Sequence, residues 1–326
     1  MHILLFNTCK IPAILYGGTE RVMWDLGNVL CQMGHKVTFL VHKGSYCAFA
    51  DVLFYDNTRD INTQIPDSVD VVHCQSIPPQ VVKKPYLVTI HGNPSYGLLL
   101  DKQCVFVSQN HAQRYNSTAF VHNGLDWNNY PKPQLSSKKK YFHFLANAAW
   151  KIKNVRGAIA ITQKANEKLV VLGGYRLNLK MGPRFTFATH VSFKGMVNNE
   201  QKAAFMQQSK GLIFPVLWHE PFGLAVIESL YFGCPVFATP YGSLPELVNN
   251  EVGFLSACAN DLSNALKNST DFDTQKCHHY ALDNFSAQVM ACNYLRYYER
   301  VLNGEVLNKQ IPTLLQAAAG KYLDFG

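Results

Sequence analysis

Short apolar runs of strand length alternate with segments of helical period along this chain, and the alternation occurs twice. In the first half the strand candidates are His2–Phe6, Val37–Val41, Val69–His73, Tyr86–Ile90, Cys104–Val107 and Ala119–Val121. Between the first two, residues 19–33 place Val22, Met23, Leu26, Val29, Leu30 and Met33 on one helical face. The second half offers Tyr141–Leu145, Leu169–Leu172, Val191–Phe193, Gly211–Phe214, Val236–Ala238 and Gly253–Leu255, with helical segments expected at 154–166, 199–208, 222–232 and 260–268. Strands separated by helices predict βαβ units and parallel sheets, so the expected class is α/β with two doubly wound halves. Such halves bind ligands outside the carboxyl ends of their strands.

The stretch Pro131–Lys140 is polar, basic and carries two prolines, and is the linker candidate. It sets an N-terminal domain at 1–135 and a C-terminal domain at 136–284. A last segment, 285–326, opens with a helix whose apolar face carries Val289, Met290, Tyr294, Leu295, Tyr298 and Val301. A length of 326 residues suits two domains, and 48% hydrophobic with 16% charged residues suits large buried cores.

Composition excludes several classes. No apolar run is long enough to cross a membrane. The opening Met1-His2-Ile3-Leu4-Leu5-Phe6 lacks a basic n-region and reads as a strand rather than a signal peptide. Nine cysteines, an odd number with no C-x-x-C pair, read as reduced core thiols and a cytoplasmic protein. The net charge of +8 gathers around Lys132, Lys138, Lys139, Lys140, Lys151 and Lys153 without any nucleic-acid motif. A solvated basic surface is the first reading, and peripheral contact with the inner membrane face the second.

The chemistry concentrates in His219-Glu220-Pro221-Phe222-Gly223-Leu224-Ala225-Val226-Ile227-Glu228. It follows the buried strand candidate Gly211–Phe214 and reads as a strand-to-helix corner. Pro221 suits a first helical position. The amides of Phe222, Gly223 and Leu224 would then be the free donors of a helix N-terminus, a ready anion site. The helix is apolar nearly all round, hence buried, and Glu228 is its only charge. A buried carboxylate needs a partner, and the paired hydroxyls of a ribose would serve. Eight helical residues separate the two acids by roughly 12 Å, too far for a retaining glycosidase pair at about 5–5.5 Å. The alternative on these residues alone is a solvated loop acid and a salt-bridged core acid.

This stretch resembles the E-x7-E motif of retaining GT-B glycosyltransferases, in particular glycosyltransferase family 4. The likeness continues through Glu228–Thr239 (E-S-L-Y-F-G-C-P-V-F-A-T), Gly242–Val248 (G-S-L-P-E-L-V) and Gly253-Phe254-Leu255. Tyr16-Gly17-Gly18-Thr19-Glu20-Arg21 with Gly34-His35-Lys36-Val37 is similar to the family's opening, and His91-Gly92 and His122-Asn123-Gly124-Leu125-Asp126 resemble further family turns.

The resemblance implies a GT-B architecture: two Rossmann-like domains facing a deep cleft, the last helix crossing back to the N-terminal domain. It implies transfer of a sugar, with retention, from a nucleoside diphosphate sugar (UDP by family frequency) to an acceptor hydroxyl of a glycan, lipid-linked sugar or small molecule. Glu220, His91 and Lys153 would be catalytic: Glu220 on the transferred sugar, His91 beside the incoming hydroxyl, Lys153 on the leaving diphosphate. Donor binding would fall to Gly17, Gly18, Lys153, Gly195, Met196, Val197, Glu220, Pro221, Phe222, Gly223, Leu224 and Glu228, with the base near Gly195–Val197 and the ribose on Glu228. His73 resembles another family histidine, and a structural role for it stands equally open. No cofactor or metal is expected, since Asp271-Phe272-Asp273 reads as a helix cap.

One departure stands out. The family's arginine, paired with the lysine matched by Lys153, is replaced by Ala148, and its glycine by Asn147. Lys151 cannot reproduce a bidentate guanidinium grip. This departure motivates one competing function, a non-catalytic nucleotide-sugar-binding subunit; the other is a nucleotide-sugar epimerase of the same fold.

Overall fold

The structure is a computed structural model that describes residues 1–12, 17–179, 184–317 and 320–326; Tyr16 lies outside the described residues. The chain divides into two compact units, Met1–Trp127 with Phe285–Ala317, and Asn128–Asn284 with Ala318–Gly326.

The first unit holds strands β1 (His2–Phe6), β2 (Lys36–Val41), β3 (Asp51–Phe54), β4 (Val71–Cys74), β5 (Tyr86–Ile90) and β6 (Cys104–Phe106), with helices α1 (Gly18–Gln32) and α2 (Gln109–Arg114). All strand pairs are parallel, in the order β3-β2-β1-β4-β5-β6. This is the order of a dinucleotide-type doubly wound sheet. β1 and β4 are buried along their whole length, which is why they read as near-continuous apolar runs. β3 escaped the sequence pattern because it is an edge strand with no buried residue. Ala119–Val121 is not a strand; Phe120 makes only an isolated parallel bridge to Phe106.

The second unit holds β7 (Tyr141–Leu145), α3 (Val155–Lys164), β8 (Leu169–Leu172), β9 (Leu177–Asn178), β10 (Arg184–Phe185), β11 (Val191–Phe193), α4 (Asn199–Met206), β12 (Ser209–Phe214), α5 (Leu224–Tyr231), β13 (Val236–Ala238), α6 (Leu244–Leu247), β14 (Gly253–Leu255), α7 (Ala259–Leu266) and α8 (Thr274–Asn284). Its main sheet, β11-β8-β7-β12-β13-β14, is parallel and repeats the topology of the first. β9 and β10 form a separate antiparallel pair. Two of its helices start at side-chain caps. Asn154 accepts from the Gly157 amide ahead of α3, and Asn198 with Gln201 forms a capping box on α4.

The boundary expected at residue 135 moves to Trp127. Residues from Asn128 onward are held by the second unit: the Tyr130 hydroxyl donates to Glu228, and the Lys140 amide to the Gln208 carbonyl. Helix α9 (Ala287–Leu302), capped by Ser286, belongs to the first unit. The segment expected to run on to 326 as one body does not. The Leu323 amide donates to the Leu217 carbonyl at 2.8 Å, and the Gly326 amide to the Ala257 carbonyl, so the terminus returns to the second unit. Asp273 Oδ1 accepts from the Gln275 amide at 2.7 Å at the start of α8.

Candidate active site

β12 delivers the chain into the turn Pro215–Gly223, and two neighbouring turns hold it there. The Leu217 amide donates to the Ile152 carbonyl at 2.8 Å, which joins this turn to the 3-10 turn Lys151–Lys153 that follows β7. After β13, the Ser243 amide donates to the Glu220 carbonyl at 2.9 Å. Gly242 makes an isolated bridge with Glu220 at φ +67, and a Cβ there would lie 2.3 Å from the Glu220 backbone nitrogen and oxygen. Only glycine fits that approach.

These connections bring Lys153 and Glu220 together. Lys153 Nζ lies 2.6 Å from Glu220 Oε2, and the Trp218 indole N–H donates to the same oxygen at 2.8 Å. The ammonium also sits over the rings of Phe214 and Trp218, at 5.2 and 4.9 Å from their centroids. Both charged residues are buried, at 9% and 7% exposure. Ala148 is buried, and its amide donates to the Gly173 carbonyl, so no guanidinium stands at the family position. Lys151 is exposed.

Two expectations for this corner need correction. Helix α5 begins at Leu224 with Gly223 as its cap, so Pro221 is not a first helical residue and the first-turn amides start at Leu224. The glycine's left-handed φ of +106 delays the helix. Glu220 and Glu228 are therefore not separated by eight helical residues. The second correction concerns Glu228. Its charge is met inside its own unit: Lys202 of α4 forms an ion pair with Glu228 Oε1, and the Tyr130 hydroxyl donates to the same oxygen at 2.7 Å. Lys202 Nζ lies 5.4 Å from the Tyr130 ring centroid. The premise that Glu228 lacks a protein partner, from which the ribose assignment was drawn, does not hold.

Gly195 stands in an isolated antiparallel bridge with Gly174, and the Gly173 amide donates to the Gly195 carbonyl at 2.7 Å. Gly195 is buried, Met196 exposed and Val197 half-buried, at the β11 exit, where a base could meet backbone atoms.

The first unit holds the remaining candidates. Gly17 caps α1 and Gly18 is its first residue. His91 follows β5, half-buried, with Nε2 2.8 Å from the Gln75 side-chain oxygen. Burial pushes its pKa down to about 4. His73 is fully buried and bonded through Nδ1 to the Tyr298 hydroxyl at 2.8 Å, so it anchors α9 and is structural. Sequence reading missed Trp218, Lys202, Tyr130 and Gln75. Trp218, two residues before Glu220, was the one with a local signal.

Residues 126–270 match the family profile described as glycosyl transferases group 1. The crystal structure of AviGT4, a glycosyltransferase involved in Avilamycin A biosynthesis, superposes with a TM-score of 0.76 at 18% identity, covering 93% of this chain and 98% of that one. The fold is GT-B. Anabaena HepE in complex with UDP and glucose superposes at a TM-score of 0.62 and 16% identity, covering 91% of this chain and 99% of that one. Among curated proteins, an uncharacterized 41.2 kDa protein in the cps region of Klebsiella pneumoniae is 26% identical over 117 residues, 34% of this chain and only 32% of that protein. The D-rhamnosyltransferase WbpZ of Pseudomonas aeruginosa is 24% identical over 272 residues, 76% of this chain and 71% of that protein. Together the profile and the GT-B architecture support a glycosyltransferase.

Proposed function

We propose that the protein is a retaining glycosyltransferase that moves a sugar from a nucleoside diphosphate sugar to an acceptor hydroxyl. The observation that carries this reading is the buried Lys153–Glu220 pair, set at a strand-to-helix corner within the stretch matched by the family profile. A nucleotide sugar would exchange this internal pair for two external ones: the leaving diphosphate for Lys153, and the transferred sugar's hydroxyls for Glu220. A preorganised cation in a site shielded from water stabilises a departing phosphate by several kcal/mol. The amides from Leu224 onward add the positive end of α5. Glu220 also braces the positive charge that develops on the sugar ring. The base lies on Gly195–Val197, and Gly17, Gly18 and His91 serve the sugar and acceptor side. UDP is the proposed nucleotide, supported by the UDP and glucose bound to HepE. The reaction needs no metal in this reading, because Lys153 and the helix amides neutralise the leaving group. The acceptor is a glycan, a lipid-linked sugar or a small molecule, and the protein works in the cytoplasm or peripherally at the inner membrane face.

The test is a melting-temperature screen over UDP, GDP, ADP and their sugars, followed by a transfer assay on Glu220→Ala. A ligand at about 100 times its Kd adds about 2.7 kcal/mol to stability. Glu220→Ala is expected to abolish transfer while the free nucleotide still binds. Near-normal turnover in that variant would refute the role of Glu220.

A further inference from the structure

Gln75 follows β4, and its amide bridges two histidines. Its side-chain oxygen lies 2.8 Å from His91 Nε2, and its side-chain nitrogen 2.9 Å from His73 Nε2. A carboxamide oxygen only accepts and its nitrogen only donates. The bridge therefore asks for a proton on His91 Nε2 and a lone pair on His73 Nε2.

The contacts of His73 are compatible with that demand. With its proton on Nδ1, the ring donates to the Tyr298 hydroxyl at 2.8 Å. Its single Nε2 lone pair is then shared between the Gln75 N–H and the Thr89 hydroxyl, 2.7 Å away, and Thr89 Oγ1 in turn accepts from the Tyr294 hydroxyl at 2.9 Å. Gln75, His73, Thr89, Tyr294 and Tyr298 are all buried. Burial holds His73 well below the usual histidine range, so it is neutral and offers one lone pair. The Gln75 main chain is pinned as well, its amide donating to the Phe6 carbonyl at 2.9 Å. A flipped Gln75 amide would reverse the demand on both rings at once.

We propose that Gln75 is a positioning residue that holds His91 as its Nε2–H tautomer, leaving the Nδ1 lone pair to accept a hydroxyl hydrogen from the sugar or the acceptor. The opposite tautomer would present an N–H to that hydroxyl and compete with its proton. This inference rests on the proposed place of His91 at the sugar and acceptor side, but the tautomer itself is readable without any sugar transfer.

Imidazole 15N spectra of the full chain decide it. The wild type is expected to show His91 protonated at Nε2, and Gln75→Leu to show a mixture of tautomers. Gln75→Met serves if the leucine variant does not fold. With the donor that the melting screen selects, the folded Gln75 variant is expected to lower kcat on the order of tenfold to a hundredfold, with the donor KM kept within about twofold. A wild-type His91 protonated at Nδ1, an unchanged tautomer in the variant, or a wild-type kcat in the variant would each overturn the proposal. If no donor is turned over by the wild type, the transferase reading fails while the spectra still decide the tautomer.

Discussion

Glu220 and Glu228 differ in how their charges are held. One Glu220 oxygen takes both the Lys153 ammonium and the Trp218 N–H, in a turn with half-buried residues beside it. Glu228 lies under α4 with Lys202 and Tyr130, both buried. Removing one partner of a buried pair leaves an uncompensated charge and costs about 3–5 kcal/mol. Lys202→Met is therefore expected to destabilise by that amount in urea unfolding, and Lys202→Met with Glu228→Leu to recover most of it. An additive double variant would show that the pair is not coupled. The two acids were legible in the sequence because their spacing and the apolar helix between them are local. Their cationic partners were not. Lys153 came through resemblance alone, and Lys202, 26 residues from Glu228 on another helix, carries no mark that sets it apart from a surface lysine.

The elements around the site were easier to read than their ends. β12, α5 and β13 occur where the apolar periods place them, but the start of α5 depends on Gly223, whose left-handed backbone the residue pattern does not announce. The same holds for the turn after β13. Gly242 looked like part of a motif, whereas the structure gives its reason, the close passage of the Glu220 backbone. Gly242→Ala is expected to push the Glu220 turn aside, cost about 1–3 kcal/mol and lower transfer more than nucleotide binding. An alanine variant with wild-type activity would contradict that account. In the first unit, α9 is tied to β4 through His73 and Tyr298. Tyr298→Phe leaves the buried His73 Nδ1 without its hydrogen-bond partner and is expected to cost about 1–3 kcal/mol. An unchanged unfolding midpoint would count against the bond.

For the whole molecule, the two repeated parallel sheets were foreseeable from alternation, and the return of the terminus to the second unit was not, because residues 320–326 bond mainly through backbone. Stability should depend on acid in a definite direction. Burial holds His91 at about 4, and His111 and His143 at about 3. An unfolded histidine titrates near 6.5. Below that value the unfolded chain binds more protons than the folded one, so stability is full above about pH 6.5 and falls as the pH drops toward 4 and 3. Each such histidine contributes up to about 1.4 kcal/mol per pH unit in that window. Urea titrations at pH 7, 6, 5 and 4 should show the decline, and a flat profile would contradict the burial of these rings. Excess EDTA should leave sugar transfer unchanged, and its loss with recovery on adding magnesium would place a metal in the reaction. The most direct test of the central claim is a calorimetric titration of UDP into the wild type and into Lys153→Met, with the unliganded melting temperatures confirming that both fold. The account predicts binding by the wild type and an affinity at least about tenfold weaker in the variant, a loss of about 1.4 kcal/mol. Equal affinities would mean that the diphosphate is not held at the Lys153–Glu220 corner.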